Sequence, residues 1–207
     1  MPVPKAGPPK APPRKPPGLL VRARRILLQP KKEWEAINGE FTNAGAIYKG
    51  YVVLLAAVGP VASMAGTLVF GVQGTLFGPV PTAPLTAVQD GITRYVLGLA
   101  SVFALAFVLE RLAPAFAGQA NQVQALKVAA YASTPAWLFG SLALIPPLAP
   151  YHSLGVLWTL YLVRAGAPLL LKVPEDEPDK AKIFGLVAIV VTVLVALLFE
   201  GLASAFA

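Results

Sequence analysis

Long apolar runs with few charges are the feature that most limits what this chain can fold into. Residues 183–204, IFGLVAIVVTVLVALLFEGLAS, contain a single charged residue. A helix needs about 20 mostly apolar residues to cross a hydrocarbon core of about 30 Å. Four other runs are similarly long and apolar: residues 48–71, 93–114, 125–146 and 151–172. The sequence therefore predicts an all-α integral membrane protein, built as a bundle of five transmembrane helices.

The composition supports lipid as the solvent of most of the chain. Of its 207 residues, 56% are hydrophobic and 13% are charged, whereas an ordinary soluble domain carries about 25% charged residues. A soluble globule of this size would still expose much of its surface and could not hide so many apolar side chains. With no cysteine and one histidine, His152, the chain has no disulfide framework, thiolate site or histidine cluster for a metal.

The chain divides into three parts. Residues 1–18, MPVPKAGPPKAPPRKPPG, are a Pro/Lys/Arg-rich tail with little to bury, which predicts an extended or disordered segment. Residues 19–40 have apolar side chains at helical spacing among basic ones, which predicts a short amphipathic helical segment. Residues 41–207 hold the five apolar runs and are the predicted membrane domain.

The amphipathic segment allows two interpretations. A basic amphipathic helix with a tryptophan is typical of segments that lie in the membrane interface. The same pattern also fits a helix pair packed on the cytoplasmic face of its own membrane domain. Under the first interpretation, six residues are candidate contacts to lipid or to a partner: Arg22, Arg24, Arg25, Lys31, Lys32 and Trp34.

The distribution of basic residues predicts the orientation. Positively charged loops stay in the cytoplasm. Ten of the 17 Lys and Arg residues precede or begin the first run: Lys5, Lys10, Arg14, Lys15, Arg22, Arg24, Arg25, Lys31, Lys32 and Lys49. On the opposite side, the connections offer Arg94 alone. We expect a cytoplasmic N-terminus, an external C-terminus and attraction to anionic lipids of the inner leaflet, so the net charge of +7 requires no nucleic-acid partner.

Two charges inside the apolar runs are candidates for an intramembrane ion pair. Ionisable residues within a span are costly and are commonly functional. Arg164 lies about eight residues before the cytoplasmic end of its run, and Glu110 lies near the same end of another. We hypothesise that Glu110 and Arg164 neutralise each other and join two helices.

The stretch LLQPKKEWEAI, the core YASTPAW and the closing stretch LWTLYLVRAGAPLLLKVPEDEPDKA follow one another in a familiar order and spacing. Over roughly residues 25–205 the chain resembles the Yip family, the Ypt/Rab-interacting-protein membrane domain, in its bacterial form, most specifically at YASTPAW. This resemblance implies a five-helix membrane bundle with a cytoplasmic N-terminus. Eukaryotic members are associated with Rab GTPases, but their Asp-Leu-Tyr-Gly-Pro signature is absent here, so GTPase binding is not carried over. The family pattern leads us to expect a less polar residue at the position of Arg164.

Two functions follow from these patterns. The first is a non-enzymatic membrane protein that scaffolds or modulates membrane proteins or lipid organisation, in a membrane complex or as a homo-oligomer. The second is a small-molecule or ion transporter, with a polar path around Glu110 and Arg164 and helices broken by proline. The chain lacks a phosphate loop, a nucleophile elbow and metal-ligand spacing, so an enzyme with a cofactor is not expected.

Overall fold

The computed structural model describes residues 17–71, 83–174 and 176–206, and this part of the chain is helical throughout its regular structure. The predicted tail lies almost wholly outside the described residues. The predicted amphipathic segment forms two short helices, α1 (Leu19–Leu28) and α2 (Pro30–Asn38). Pro30 suits the first position of α2 because its missing N–H would have no partner inside the helix.

Within the described ranges, four helices are long and apolar enough to cross a membrane. They are α3 with its π-helical turn (Ala44–Phe70), α4 with its 3-10 extension (Pro84–Phe116), α7 with its 3-10 lead (Pro146–Leu170) and α8 (Pro178–Phe206). Each extends several residues beyond the predicted run at one end at least. The fold class expected from the sequence, an all-α membrane protein, is confirmed.

The third predicted span, residues 125–146, is not one continuous helix. It consists of α5 (Gln122–Ala132), α6 (Thr134–Gly140) and a 3-10 turn (Ser141–Leu144). Pro135 lacks the N–H that would bond to the carbonyl of Tyr131. The Thr134 hydroxyl supplies the missing donor, with Oγ1 at 2.7 Å from Tyr131 O. A sequence pattern of hydropathy alone could not distinguish this broken segment from an intact span.

The broken segment runs beside α3 in the same direction along its length. Tyr51 of α3 lies against Thr134, with 2.7 Å between the two side-chain oxygens. Further along, Gly59 packs against Gly140, where a Cβ atom on Gly140 would lie 2.9 Å from Gly59 Cα. Small residues permit this close approach of two backbones. The small residues of α3 and of the broken segment therefore serve packing within the bundle.

The remaining long helices alternate in direction. Helix α4 is antiparallel to α3, since Tyr48 donates to Leu99 O at 3.0 Å and Tyr95 donates to Val53 O at 3.1 Å. Helices α7 and α8 form an antiparallel pair in which Arg164 contacts Gly185. Helix α8 closes the bundle by packing against both α4 and α7. We call the end that carries α1 and α2 the proximal end, and the opposite end the distal end.

Candidate functional site

The candidate site lies at the proximal end, where α1 and α2 pack onto the long helices. Helix α1 contacts the broken segment α5–α6, and α2 contacts α7. The faces turned inward are apolar, with Ala23 and Ile26 of α1 and Ile37 of α2 buried. The structure thus places the two helices on their own membrane domain, which is the second of the two interpretations drawn from the sequence.

Four charged residues meet beneath these helices, and we call them the buried charge cluster: Arg22, Glu33, Glu40 and Lys127. Arg22 is only 2% exposed, and its Nη1 lies 2.6 Å from Glu33 Oε1. Its Nη2 donates to Glu40 Oε2. With Lys127, the cluster contains two positive and two negative charges, so its formal net charge is zero. Such neutrality is the condition under which burial of charge is tolerated.

The position of Arg22 keeps it charged. Burial alone would lower the pKa of Arg22, but the hydrogen bond and negative charge of Glu40 oppose this, and the pKa lies above its ordinary value. The guanidinium also sits over the ring of Tyr131, 5.1 Å from its centroid. Cations over aromatic rings gain about 0.5–2 kcal/mol, with the larger values at desolvated sites. Arg22 therefore ties α1 to α2 and to α5 at once.

Lys127 fixes the end of α2 from the membrane domain. Its Nζ donates to Ile37 O at 3.0 Å and to Glu40 O at 2.7 Å. Carbonyl groups at a helix C-terminus lack partners within the helix and carry partial negative charge. Ile37 O also accepts the Glu40 N–H at 3.2 Å, so Lys127, which is 1% exposed, mainly adds a positive charge at the negative end of α2.

Trp34 completes the attachment of α2 to α7. It is 1% exposed and lies directly against Gly166, where a Cβ atom would come within 2.6 Å of the indole ring. Within the described residues, the indole Nε1 is buried without a hydrogen-bond partner. Any larger residue at position 166 would displace the ring, so glycine is required by this close approach.

The structure corrects two residues proposed from the sequence as contacts to lipid. Arg22 and Trp34 are buried against the membrane domain, because Glu33, Glu40 and Gly166 supply partners that the sequence did not reveal. The other four candidates, Arg24, Arg25, Lys31 and Lys32, are exposed. In the part of the chain that the structure describes, none of these four forms an ion pair.

The exposed side of α1 and α2 combines these charges with apolar side chains. Leu20 is 79% exposed and Leu28 is 68% exposed, on the side of α1 that faces away from the bundle. We call this surface the basic face, formed by Leu20, Arg24, Arg25, Leu28, Lys31 and Lys32. A helix surface that mixes leucines with arginines and lysines is typical of contact with the headgroup region of a membrane.

Glu110 and Arg164 are not brought together. They lie on α4 and α7, and α5 and α8 each pack against both of these helices and separate them. No ion pair joins the two residues among those found over residues 17–71, 83–174 and 176–206. Arg164 is exposed and contacts Gly185 through its Cγ, and Glu110 is half-buried. The proposed intramembrane pair is therefore not formed in this structure.

A second ionic contact, at the distal end, was also not predicted from the sequence. Arg94 of α4 lies 2.9 Å from Asp90 and 2.6 Å from Glu200 of α8. All three are partly exposed, with Glu200 at 63%. The spacing of four residues between Asp90 and Arg94 was a local signal, but nothing near Glu200 in the sequence pointed to its partner.

One local signal could have revealed the role of Arg22. It precedes Ala23 and lies four residues before Ile26, both on the apolar stripe of α1. A charge within an apolar stripe predicts a buried partner of opposite charge.

Over the described residues, no group of three or more His, Asp or Glu side chains could hold a metal ion.

Comparison with known proteins places the chain among membrane proteins. A family model described as the Yip1 domain matches residues 24–199. The chain is also 25% identical over 158 residues to the "Inner membrane protein YohC" of Escherichia coli (strain K12), covering 73% of this chain and 80% of that protein. The same values hold for the protein of that name from Escherichia coli O6:H1. No solved structure gives a significant match.

Proposed function

Because the chain belongs to the Yip1 domain family of membrane proteins, we propose that it is a non-enzymatic organiser of the inner membrane, acting through the basic face. The buried charge cluster holds α1 and α2 on the proximal end, and the basic face points away from the bundle. The proposal rests on this combination of a neutral, buried inner side with a basic outer side whose charges form no ion pair among the described residues.

We propose that the chain crosses the membrane five times, with a cytoplasmic N-terminus and an external C-terminus. The parallel course of the broken segment along α3 supports a crossing at residues 125–146. From Tyr51 to Gly66 the segment accompanies α3 over 15 residues, which is roughly 22 Å of helix. An odd number of crossings follows, and the excess of basic residues before α3 favours the cytoplasmic side for the N-terminus.

Single-cysteine labelling tests this topology, because the chain contains no cysteine of its own. We expect a membrane-impermeant thiol reagent to label Ser204→Cys in intact spheroplasts and to leave Arg24→Cys unlabelled until the cells are opened. Both residues are exposed, so access to the reagent depends on the side of the membrane. Labelling of both positions, or of neither, in intact spheroplasts would contradict five crossings.

The basic face is proposed to gather anionic phospholipids around the proximal end. Each basic residue near an anionic surface contributes about 1 kcal/mol of attraction. We expect replacement of Arg24, Arg25, Lys31 and Lys32 by Gln to reduce the share of phosphatidylglycerol in polymer-excised nanodiscs that contain the protein. The control replaces Lys180 and Lys182 by Gln, which removes exposed charges outside the basic face. An unchanged lipid share in the fourfold variant would overturn the proposal.

Protein partners are a second use of the same face. A membrane complex or a homo-oligomer would cover the leucines as well as the charges, so Leu20→Ser with Leu28→Ser should dissociate it. Light scattering measures the mass of the solubilised protein and so shows whether the complex or homo-oligomer is intact or dissociated. A complex whose mass is unaffected by these replacements would not be assembled through the basic face.

The transport alternative was based on a pairing of Glu110 with Arg164, and among the described residues these two side chains form no ion pair. Flux of candidate ions into liposomes that contain the protein measures transport directly. Transport abolished by Arg164→Gln, in protein that remains folded, would favour that alternative over the proposed function.

A further inference from the structure

A groove of about 250 Å³ opens at the proximal end. It lies among the start of α3, the C-terminal half of α4 and the start of α5. We call it the proximal groove, lined by Ala44, Tyr48, Phe103, Phe107, Gln122 and Leu126. Its walls are mainly apolar. The hydroxyl of Tyr48 is already engaged, since it donates to Leu99 O at 3.0 Å. The side-chain amide of Gln122 is therefore the main polar group left at its rim.

The groove faces the region that lipid occupies. Phe103 is 51% exposed and Phe107 is 45% exposed, and both lie on α4, which is long enough to cross a membrane. In a bilayer, such side chains meet acyl chains. An apolar groove open to hydrocarbon gives water few hydrogen-bond partners, and an acyl chain fills it without loss of hydrogen bonds.

A positive charge lies beside the groove. The guanidinium of Arg111 stacks over the ring of Phe107, with 4.8 Å between its Cζ and the ring centroid. Arg111 is exposed, and in the described residues it forms no ion pair. The stacking fixes the guanidinium next to a groove wall while its N–H groups remain available. Planar guanidinium groups bind phosphate through two parallel hydrogen bonds.

We propose that the proximal groove binds one anionic phospholipid, with an acyl chain against Phe103 and Phe107 and the phosphate on Arg111. The apolar walls and the adjacent unpaired cation match the two halves of such a lipid. The amide of Gln122 supplies a further donor at the level of the headgroup. The proposal goes beyond the basic face, because the groove lies on other helices and shares no residue with it.

Native mass spectrometry of the full-length protein tests the proposal. We expect one tightly retained phosphatidylglycerol per chain after exchange into a mild detergent, and weaker retention of phosphatidylcholine. Arg111→Gln should weaken retention of phosphatidylglycerol about tenfold or more, since hydrogen bonds to charged groups are worth about 1.5–3 kcal/mol. Arg111→Lys should restore part of the loss. Lys180→Gln is the control for loss of an exposed positive charge at the same end.

A second variant tests the groove itself. Gly45 lines the groove, and a Cβ atom there would meet only the Asn43 side chain, at 3.4 Å. We expect Gly45→Leu to fill the groove and to abolish retention of both lipids. Gly98→Leu is the matched control, because a Cβ atom at Gly98 has no neighbour within 4 Å.

The outcomes separate this proposal from the proposed function. Unchanged retention of phosphatidylglycerol in Gly45→Leu and Arg111→Gln would overturn the proposal that the groove binds a lipid. A loss in Lys180→Gln equal to the loss in Arg111→Gln would overturn it as well. The fourfold variant of the basic face should keep its bound lipid. Loss of that lipid in the fourfold variant alone would move the site to α1 and α2 and refute the groove.

Discussion

Two of the ionic contacts among the described residues each join one arginine to two carboxylates, but their surroundings are opposite. At the proximal end, Arg22 joins two carboxylates and is 2% exposed. At the distal end, Arg94 also joins two carboxylates, but Arg94 is 32% exposed and Glu200 is 63% exposed. A buried pair is costly to break because the remaining partner keeps an uncompensated charge, whereas exposed pairs contribute little. Burial, more than the number of ion pairs, therefore decides which of these contacts fixes the fold.

Removal of Arg22 should have the largest effect. We expect Arg22→Gln to lower the free energy of unfolding by about 3–5 kcal/mol, because Glu33 and Glu40 would remain buried without their cation. Titration of the micelle-bound protein with sodium dodecyl sulfate, followed by circular dichroism, measures this. The control is Arg24→Gln, an exposed arginine of the same helix, which should change stability by less than about 0.5 kcal/mol. Equal effects of the two changes would contradict the importance of burial.

A larger residue at Gly166 should have the next effect. Gly166→Leu forces the Trp34 ring from its place, and overpacking of this kind costs typically about 1–3 kcal/mol. Trp34→Ala in the same chain should make the added leucine less harmful than it is alone, because the space is shared. A double-mutant cycle on the unfolding free energy measures this coupling, and strictly additive effects would show that the two residues do not share the space.

Replacement of all four residues of the buried charge cluster tests the role of charge balance. Arg22→Met, Glu33→Leu, Glu40→Leu and Lys127→Met together remove both positive and both negative charges, and exchanges of buried ion pairs for apolar residues are often neutral or stabilising. We expect this uncharged-cluster variant to recover much of the stability lost in Arg22→Gln. If it were less stable than Arg22→Gln, the individual hydrogen bonds would matter more than the unpaired charges.

The distal contact should show the smallest effect. Arg94→Gln should cost about 0.2–1 kcal/mol, since its partners are exposed and can be solvated. Raising the salt concentration should reduce this difference further, because exposed charges are screened. A cost above about 3 kcal/mol would place the distal contact in the same class as the buried charge cluster.

The sequence predicted what depends on length and hydropathy, and missed what depends on distant partners. Four predicted spans are confirmed as long apolar helices, because each needs only its own residues. The break in the third run depends on the missing N–H of Pro135 and on the Thr134 hydroxyl. An average of hydropathy over the run reports neither of these hydrogen-bonding properties. The proline itself was visible, but the way it interrupts the helix was not.

The site was harder to predict than the fold. Lys127 donates to Ile37 O across 90 residues of sequence, and Arg22 reaches Glu40 across 18. No periodic pattern encodes such contacts. The basic residues of α1 and α2 were recognised as a group, but their division between the buried Arg22 and the exposed basic face depends on which side of each helix meets the bundle.

We infer that α1 and α2 are a fixed part of the membrane domain, held there by the buried charge cluster. Double electron–electron resonance between spin labels at Lys31→Cys on α2 and Asp179→Cys on α8 measures how rigidly α2 is held, because the chain has no cysteine of its own. We expect one narrow distance distribution in lipid nanodiscs, which broadens when Arg22→Gln is added. A broad distribution in the otherwise unchanged protein, insensitive to Arg22→Gln, would contradict this inference.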